Sequence, residues 1–161
     1  MNLVDQVKFV PLNVTDYAGA ITSASLNIQN AHHLTLLITF GAITGDAKLT
    51  ITSHTAADGD TTTLTDYKGW VTGADVKAVG ADTFSATAVA VDSGENYVTL
   101  TQATFASRML VIELDPATIN VDHKWIRVKF SADATSGVNH VTAIVQPRMK
   151  QKDIPSMVKL A

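Results

Sequence analysis

The sequence predicts an all-β protein, built as a two-sheet antiparallel sandwich of the jelly-roll type with about eight to ten strands. Threonine and valine are abundant, whereas glutamate occurs only at Glu95 and Glu113, and this composition suits pleated strands better than exposed helix surfaces. Short segments of alternating apolar and polar residues follow one another, separated by turn signals. No stretch has the period of a long amphipathic helix, and no fixed-period repeat indicates a propeller or a solenoid.

The chain of 161 residues is long enough for one domain with a sizeable core. We divide it into an N-terminal arm or edge strand (1–16), a sandwich domain (17–147) and a basic C-terminal arm (148–161), and we expect both terminal segments to be extended.

The first half of the chain contains four predicted strands. "VKFVPLNV" is interrupted by Pro11, which suits an edge strand or an arm; its Phe9 and Val10 are candidate contacts to a partner subunit. "ITSASLNIQ" (21–29) has a broken alternation typical of a strand with a bulge. "HLTLLITF" (33–40) is an apolar run that predicts a strand buried on both faces, and the "GAITGD" turn joins it to the half-exposed strand "AKLTITSH" (47–54).

The second half begins with a polar loop (55–66) and a glycine-rich excursion of short strands (67–84). Further strands are predicted from alternation or from apolar runs at 85–92, 96–105, 108–115, 124–131 and 140–147. Pro116 stops the third of these, and "ATINVDH" is expected to hold one helical or 3₁₀ turn. In "KWIRVKFS", the residues Ile126, Val128 and Phe130 are predicted to face the core.

Charge is distributed unevenly along the chain. Residues 147–161 carry a net charge of +3, so the rest of the chain carries −6 of the total of −3. An acidic body does not suit a nucleic-acid-binding protein, because phosphate binding needs clustered Lys and Arg. The basic C-terminal segment is instead expected to contact a partner surface, with these candidate residues: Arg148, Lys150, Lys152 and Lys159.

The chain has no cysteine, which excludes a disulfide scaffold, a thiolate metal site and a cysteine nucleophile. Its first residues lack the pattern of a secretory signal peptide, and no apolar run is long enough to span a bilayer. We therefore expect a protein that is made in the cytoplasm, is used without secretion and has no membrane partner.

Few residues have the spacing that catalysis or metal binding requires. His54, His123 and His140 lie at predicted strand ends and could converge on a metal ion, but the H-x-H and H-x-D patterns of such sites do not occur. Solvated or loop-packing histidines are the favoured interpretation, so no metal or other cofactor is expected. "DGDTTT" fails as an EF-hand because Gly69 stands where the closing glutamate should be. A polar turn is the favoured interpretation of this segment, and an irregular calcium site at Asp58, Asp60 and Asp66 is the alternative. No nucleophile elbow, phosphate-binding loop or dinucleotide motif is present.

The aromatic residues of the middle region leave more than one interpretation open. Tyr67 and Trp70 are candidates for stacking on a sugar ring, and they could equally be interface anchors or core residues. Core packing is the favoured interpretation, followed by a protein–protein contact. Glu113 could be a glycosidase acid, but a strand residue on a solvated or subunit-facing side is favoured.

Four segments of the chain, which together span residues 33–148, are "HLTLLITFGAITGDAKLTIT", "MLVIELDPATI", "KWIRVKFS" and "VTAIVQPR". In their order these segments resemble a group of small virion proteins of tailed bacteriophages. The shared features are the turn between the first two strands, the acidic residue before a short turn, and the tryptophan- and arginine-containing strand. The group has no catalytic residues to transfer.

The resemblance implies a non-enzymatic protein of the virion, assembled in the host cytoplasm, that binds the capsid surface as a decoration or cement protein. It implies two partners, the major capsid protein and further copies of the chain itself, most simply as a homotrimer. The alternatives are a tail or neck component, a carbohydrate-binding sandwich module, and a cupin-like metalloenzyme that uses the three histidines.

Overall fold

The computed structural model describes residues 6–59, 61–132, 136–148 and 156–159, and these form two antiparallel β-sheets around one hydrophobic core. The elements, in chain order, are β1 (Lys8–Ala18), β2 (Ile21–Thr22), β3 (Ser25–Asn27), β4 (Ala31–Ile43), β5 (Ala47–His54), β6 (Thr61–Thr63), β7 (Lys68–Val71), β8 (Val89–Ala90), β9 (Val98–Leu100), α1 (Gln102–Phe105), β10 (Met109–Leu114), a 3₁₀ turn (Pro116–Thr118), β11 (Trp125–Ala132), β12 (Ser136–Pro147) and β13 (Val158–Lys159).

Sheet A has the strand order β1-β12-β4-β10-β7-β8. Sheet B has the order β13-β3-β11-β5-β6, with β2 also paired to β11 and β9 also paired to β5. The strand pairs are nested in sequence: β1 pairs with β12, β3 with β11, β4 with β10, and β5 with β9, all antiparallel. A long antiparallel hairpin that is rolled into two sheets has this pairing, so the predicted jelly-roll sandwich is confirmed.

Alternation along the strands builds the core. On β4, every second residue from Leu34 to Phe40 is buried, and the residues between them are only half-buried. The sequence predicted burial of this strand on both faces, but the described chain covers one face fully and the other in part. On β11, Ile126, Val128 and Phe130 face the core as predicted, because successive side chains of a strand point to opposite faces.

Aromatic packing joins the two sheets. The ring of Phe40 on β4 lies edge-on to the ring of Phe130 on β11, with 6.3 Å between centroids. Phe105 approaches Phe40 from α1 at 5.9 Å. The sequence predicted a strand over 96–105, but the extended part ends at Leu100 and one helical turn follows. This turn places Phe105 in the core before the chain enters β10, which favours the helical conformation locally.

Other elements also differ from their predictions. The strand predicted over 85–92 is limited to Val89–Ala90, whereas Thr61–Thr63, predicted as loop, pairs with β5. The predicted turn after Pro116 is confirmed as a 3₁₀ turn, in which the Asp115 carboxylate accepts a hydrogen bond from the Ala117 N–H at 2.8 Å.

The excursion between β7 and β8 forms a closed loop. An isolated bridge pairs Thr72 with Phe84, and the Gly73 N–H donates to the Thr83 carbonyl at 3.0 Å. Beyond this neck the chain turns through Gly80, whose φ of +89° suits glycine. Val79 at the tip is fully exposed.

Both ends of the described chain belong to the sandwich. The N-terminal segment is the edge strand β1, which pairs with β12 from Lys8 to Ala18 and has a bulge after Pro11. Near the C-terminus, Met157 is buried, and β13 pairs with β3 through Val158 and Leu26. Of the extended arm predicted over 148–161, residue 148 and residues 156–159 are described, and in the latter an apolar side chain and a sheet edge are both covered.

Candidate functional site

The two predicted stacking aromatics differ in exposure, although both border one pocket at sheet A. Tyr67 is 5% exposed and belongs to the core, whereas Trp70 is half-exposed and pairs in register with Val111. Burial raises the pKa of the Tyr67 hydroxyl to about 12, and the nearby Asp92 carboxylate acts in the same direction. The prediction that Tyr67 stacks on a ligand is therefore corrected, because its ring is packed inside the sandwich. Trp70 remains available.

Trp70 lines a shallow pocket of about 340 Å³ on the outer side of sheet A. The pocket also contains side chains of both charges and a histidine, contributed by β4, β7, β10 and the turns next to them: His33, Asp66, Lys68, Glu113 and Asp115. An aromatic ring beside carboxylates is a combination that sugar-binding sites use, with hydroxyls donating to the carboxylates.

Glu113 forms the centre of the polar part of this pocket. The His33 Nε2 donates to the Glu113 carboxylate, and the Thr35 hydroxyl donates to both carboxylate oxygens at 3.1 and 3.2 Å. These contacts join neighbouring strands, because Glu113 on β10 is directly opposite Thr35 on β4. Glu113 thus lies on the outer side of the sheet, where its carboxylate links the two strands.

The histidines considered for a metal site do not converge. His54 is fully buried near the end of β5 in sheet B, whereas His140 is exposed on β12 in sheet A, opposite Thr39. The described part of the chain contains no group of three or more His, Cys, Asp or Glu side chains arranged to hold a metal ion. The cupin-like arrangement of His54, His123 and His140 is therefore incorrect.

His54 instead stabilises the loop that follows β5. Its Nε2 accepts from the Thr52 hydroxyl at 2.8 Å, and its Nδ1 donates to the Gly59 carbonyl at 3.2 Å. The carbonyl can only accept, so in the neutral ring the proton lies on Nδ1. Burial lowers the pKa of His54, and the positive charges of Arg127 and Lys129 lower it further, while the bond to Gly59 opposes them.

Arg127 fastens the same loop from the neighbouring strand. Its Nε donates to the Ser25 hydroxyl at 2.6 Å, and its Nη2 donates to the Ala57 carbonyl. Ser25 also donates to Ala57, at 2.6 Å. The sequence predicted that Arg127 points away from the core, but its partners lie far along the chain, and no local pattern marks them.

Ser53 and His123 form a pair that sequence reasoning missed. The Ser53 hydroxyl lies 2.7 Å from His123 Nδ1, a serine–histidine contact of the kind by which a histidine can activate a serine nucleophile. Ser53 is only 1% exposed, so a substrate carbonyl cannot reach its oxygen. The backbone bond from Lys124 to His54, at 2.9 Å, lies at the same place. The pair therefore ties the 120–124 turn to β5.

The predicted partner-contact residues have different environments. Phe9 is 45% exposed on β1, whereas Val10 is 3% exposed and packs in the core. The prediction that Val10 contacts a partner subunit is therefore corrected. Arg148 is exposed, and its Nε donates to the Ala31 carbonyl at 3.0 Å. Lys159 is exposed on β13. Lys150 and Lys152 lie outside the described residues.

Comparison with known proteins identifies no family. No protein-family model matches the chain, and no curated protein matches it. A solved structure described as "Structure of infectious bursal disease virus Gx strain" aligns with 88% of this chain at 13% identity and a TM-score of 0.22, and the chain spans 40% of the length of that chain. A similarity this weak supports neither a fold nor a function. Within the described residues, no helix is long and apolar enough to cross a membrane.

Proposed function

We propose that the chain is a non-enzymatic structural protein of a tailed-bacteriophage virion, which binds the capsid surface as a decoration or cement protein and stabilises the shell. The order of segments within residues 33–148 resembles virion proteins of this kind. The jelly roll itself is shared by capsid proteins, lectins and cupins, so the fold alone does not choose among these functions.

One observation carries the proposal. Several side chains in the described chain are of the types that enzymes use for catalysis, but their hydrogen bonds connect one segment of the fold to another. These contacts are Ser53 with His123, His54 with Gly59, Arg127 with Ala57 and His33 with Glu113. In each case a polar side chain stabilises a loop or joins two strands. Such use of polar groups suits a rigid building block, whose function depends on its shape and its surface.

Attachment to a capsid would use many weak contacts at once. A protein repeated over a shell gains avidity because each additional contact becomes intramolecular. The basic C-terminal region suits the capsid-facing side, since the exposed Arg148 and Lys159 lie there and residues 147–161 carry a net charge of +3. The partners in this proposal are the major capsid protein and further copies of the chain.

Sedimentation with capsids tests the proposal. Purified capsids from the phage that encodes the chain, stripped of this protein, are mixed with it and pelleted. We expect saturable binding and a higher temperature of genome release from the decorated particles. The triple substitution Lys150→Glu, Lys152→Glu and Lys159→Glu should weaken binding and reduce its salt dependence.

Two exposed lysines in the segment from β7 to β8, far from β13 in strand order, supply the control. Lys68→Glu and Lys77→Glu each reverse one positive charge, as each substitution of the triple variant does, and should leave binding intact. Absence of the protein from the pellet at every salt concentration would refute the capsid proposal. Binding to purified tails but not to heads would instead support a tail or neck component.

Carbohydrate binding is a second candidate, favoured by the pocket at Trp70. A half-exposed indole stands there beside the carboxylates of Asp66 and Glu113. If this pocket holds a sugar ring, binding on a glycan array should be lost with Trp70→Ala and retained with Trp125→Ala, a tryptophan on the outer side of sheet B. Equal binding by both variants would exclude the pocket.

A further inference from the structure

The outer faces of the two sheets differ in polarity. Sheet B follows the usual alternation, and most of its outward side chains are polar, although Trp125 lies at one end: Lys48, Thr50, Thr99, Arg127 and Lys129. Sheet A departs from this rule, because large apolar side chains also occupy its outward positions: Phe9, Pro11, Leu37, Trp70, Met109, Val111 and Ile144. We call these seven residues the sheet A band.

Strand register makes the band continuous. One row runs from Pro11 through Thr142, Leu37 and Val111 to Trp70, and so crosses five strands. The adjacent row contains Phe9 next to Ile144 and ends with Glu113 opposite Lys68. Neighbours in such rows are about 5 Å apart, so the apolar groups form one surface with charges at its margin.

The strands at the centre of the band have the sequence of doubly covered strands. "HLTLLITF" and "MLVIEL" are nearly continuous apolar runs, and such runs are typical of strands that are covered on both faces. In the described chain the inner residue Leu36 is fully buried, whereas its neighbour Leu37 is half-buried. The sequence thus predicts that a second layer covers the outer face of sheet A, and the described part of one chain does not supply that layer.

The size of the face suits a second copy. Six strands about 4.8 Å apart, over roughly eight residues of about 3.4 Å each, give an area near 800 Å². That is about the area each partner buries in a standard stable interface. The face of one sheet can also pack against that of another, at a spacing of about 10 Å.

The charges of the face also suit self-association. An isologous contact brings a surface against itself, so a surface of one sign would repel its copy. The centre of the band is uncharged, and Glu113 lies directly opposite Lys68 at its margin. The face can therefore meet itself without net repulsion, although the whole chain carries a net charge of −3.

We propose that two copies of the chain pack through the outer faces of sheet A, related by a two-fold axis, with Leu37 and Val111 at the centre of the contact. This pairing stands independently of the capsid proposal, because it concerns the protein alone. It also differs from the trimer that the phage resemblance implies, and the mass of the assembly separates the two.

Light scattering after size exclusion measures that mass. The chain concentration should be about 100 µM, which exceeds the dissociation constant of the weaker interfaces of this size. Under these conditions we expect a mass about twice the 17.1 kDa of one chain. Val111→Lys buries an unpaired charge in the contact and should raise the dissociation constant at least about 100-fold. Thr50→Lys makes a comparable change on the outer face of sheet B and should leave the dimer unchanged.

Two further measurements keep the test decisive if Val111→Lys does not fold. The milder double variant Phe9→Ser with Val111→Thr alters only outward positions and should also weaken the dimer. Since the chain has no cysteine, a single spin label can be placed through Thr39→Cys on sheet A or through Thr50→Cys on sheet B. Dipolar broadening between copies is expected for the label on sheet A and not for the label on sheet B.

The contrary results are equally specific. A mass of one chain or of three chains at about 100 µM would overturn the two-fold pairing. A dimer that survives the substitutions at Phe9 and Val111, and that shows broadening only from Thr50→Cys, would place the contact on sheet B. None of these results would bear on capsid binding, which the sedimentation experiment measures separately.

Discussion

At the scale of single residues, His54 connects the stability of the fold to pH. It is fully buried and neutral, with hydrogen bonds to Thr52 and Gly59. Its pKa lies below the ordinary value of 6.5, chiefly because of burial. The unfolded chain therefore takes up a proton at higher pH than the folded chain does. The resulting contribution to stability is complete above pH 6.5 and is lost as the pH falls below that value.

We expect the free energy of unfolding to decrease as the pH falls below 6.5, and to decrease less in His54→Gln. Urea unfolding followed by tryptophan fluorescence at pH 7 and pH 5 measures this difference. His140→Gln is the control, because His140 is exposed on β12. An identical pH dependence in the native chain and in His54→Gln would contradict the assigned role of His54.

Arg127 gives a second prediction at this scale. Arg127→Ala removes charged donors from Ser25, which is fully buried, and from the Ala57 carbonyl. Loss of a hydrogen bond to a charged group costs about 1.5–3 kcal/mol, and we expect a decrease of that size in the free energy of unfolding. Lys129→Ala, on the same face of β11, is the control and should cost less than 1 kcal/mol, as is typical of surface changes. An equal decrease in the free energy of unfolding for the two variants would show that the hydrogen bonds of Arg127 do not stabilise the fold.

The predictability of single residues depended on how local their environment is. The alternation of β11 identified Val128 as a core residue and Arg127 as an outward one, because strand period alone decides this. It did not identify the partners of Arg127, since Ser25 lies on another strand. The Ser53–His123 contact was missed for the same reason: its residues are 70 positions apart.

At the scale of elements, β13 is the segment whose role differs most from its prediction. The basic composition of 148–161 predicted an arm, yet Met157 is buried and the Asn27 N–H donates to its carbonyl at 2.7 Å. Charge dominated the sequence pattern, whereas the structure places one apolar side chain of this segment, that of Met157, in the core. The short strands β6 and β8 were likewise predicted as a loop and as part of a longer strand, respectively. Two or three residues are too few to show the alternation of apolar and polar residues that identifies a strand.

Met157→Ala should lower the free energy of unfolding by about 2 kcal/mol or more, as is usual for a buried methionine. Chemical denaturation measures this loss. Lys159→Ala, which alters an exposed residue two positions away, should change stability by no more than about 0.5 kcal/mol. If Met157→Ala costs no more than Lys159→Ala, β13 contributes little to the fold.

At the scale of the whole molecule, nesting of the strand pairs determines which parts open first. β4 lies between β12 and β10 and is hydrogen-bonded on both sides, whereas β8, among the described strands, pairs with β7 alone, through two residues. Local opening is easiest where few hydrogen bonds and few buried contacts must be broken. The segment from β7 to β8 should therefore open without disturbing the nested strands.

Native-state hydrogen exchange checks this order. We expect amides in the middle of β4, such as that of Leu36, to exchange at least about 100-fold more slowly than those of Val89 and Ala90. Similar protection throughout sheet A would contradict the predicted order and would indicate that the whole sheet opens as one unit. The overall architecture was predictable because it depends on repeated alternation, while strand order required the long-range pairings.

The closed neck at Gly73 and Thr83 makes the excursion a natural place for grafting. A foreign peptide inserted at Val79 would leave the hydrogen bond across the neck in place, since the added length begins beyond it. Lengthening a surface loop costs little entropy, which grows only with the logarithm of its length. Every copy of the protein could thus carry an epitope away from its own core, and an assembly of copies would become a multivalent display particle.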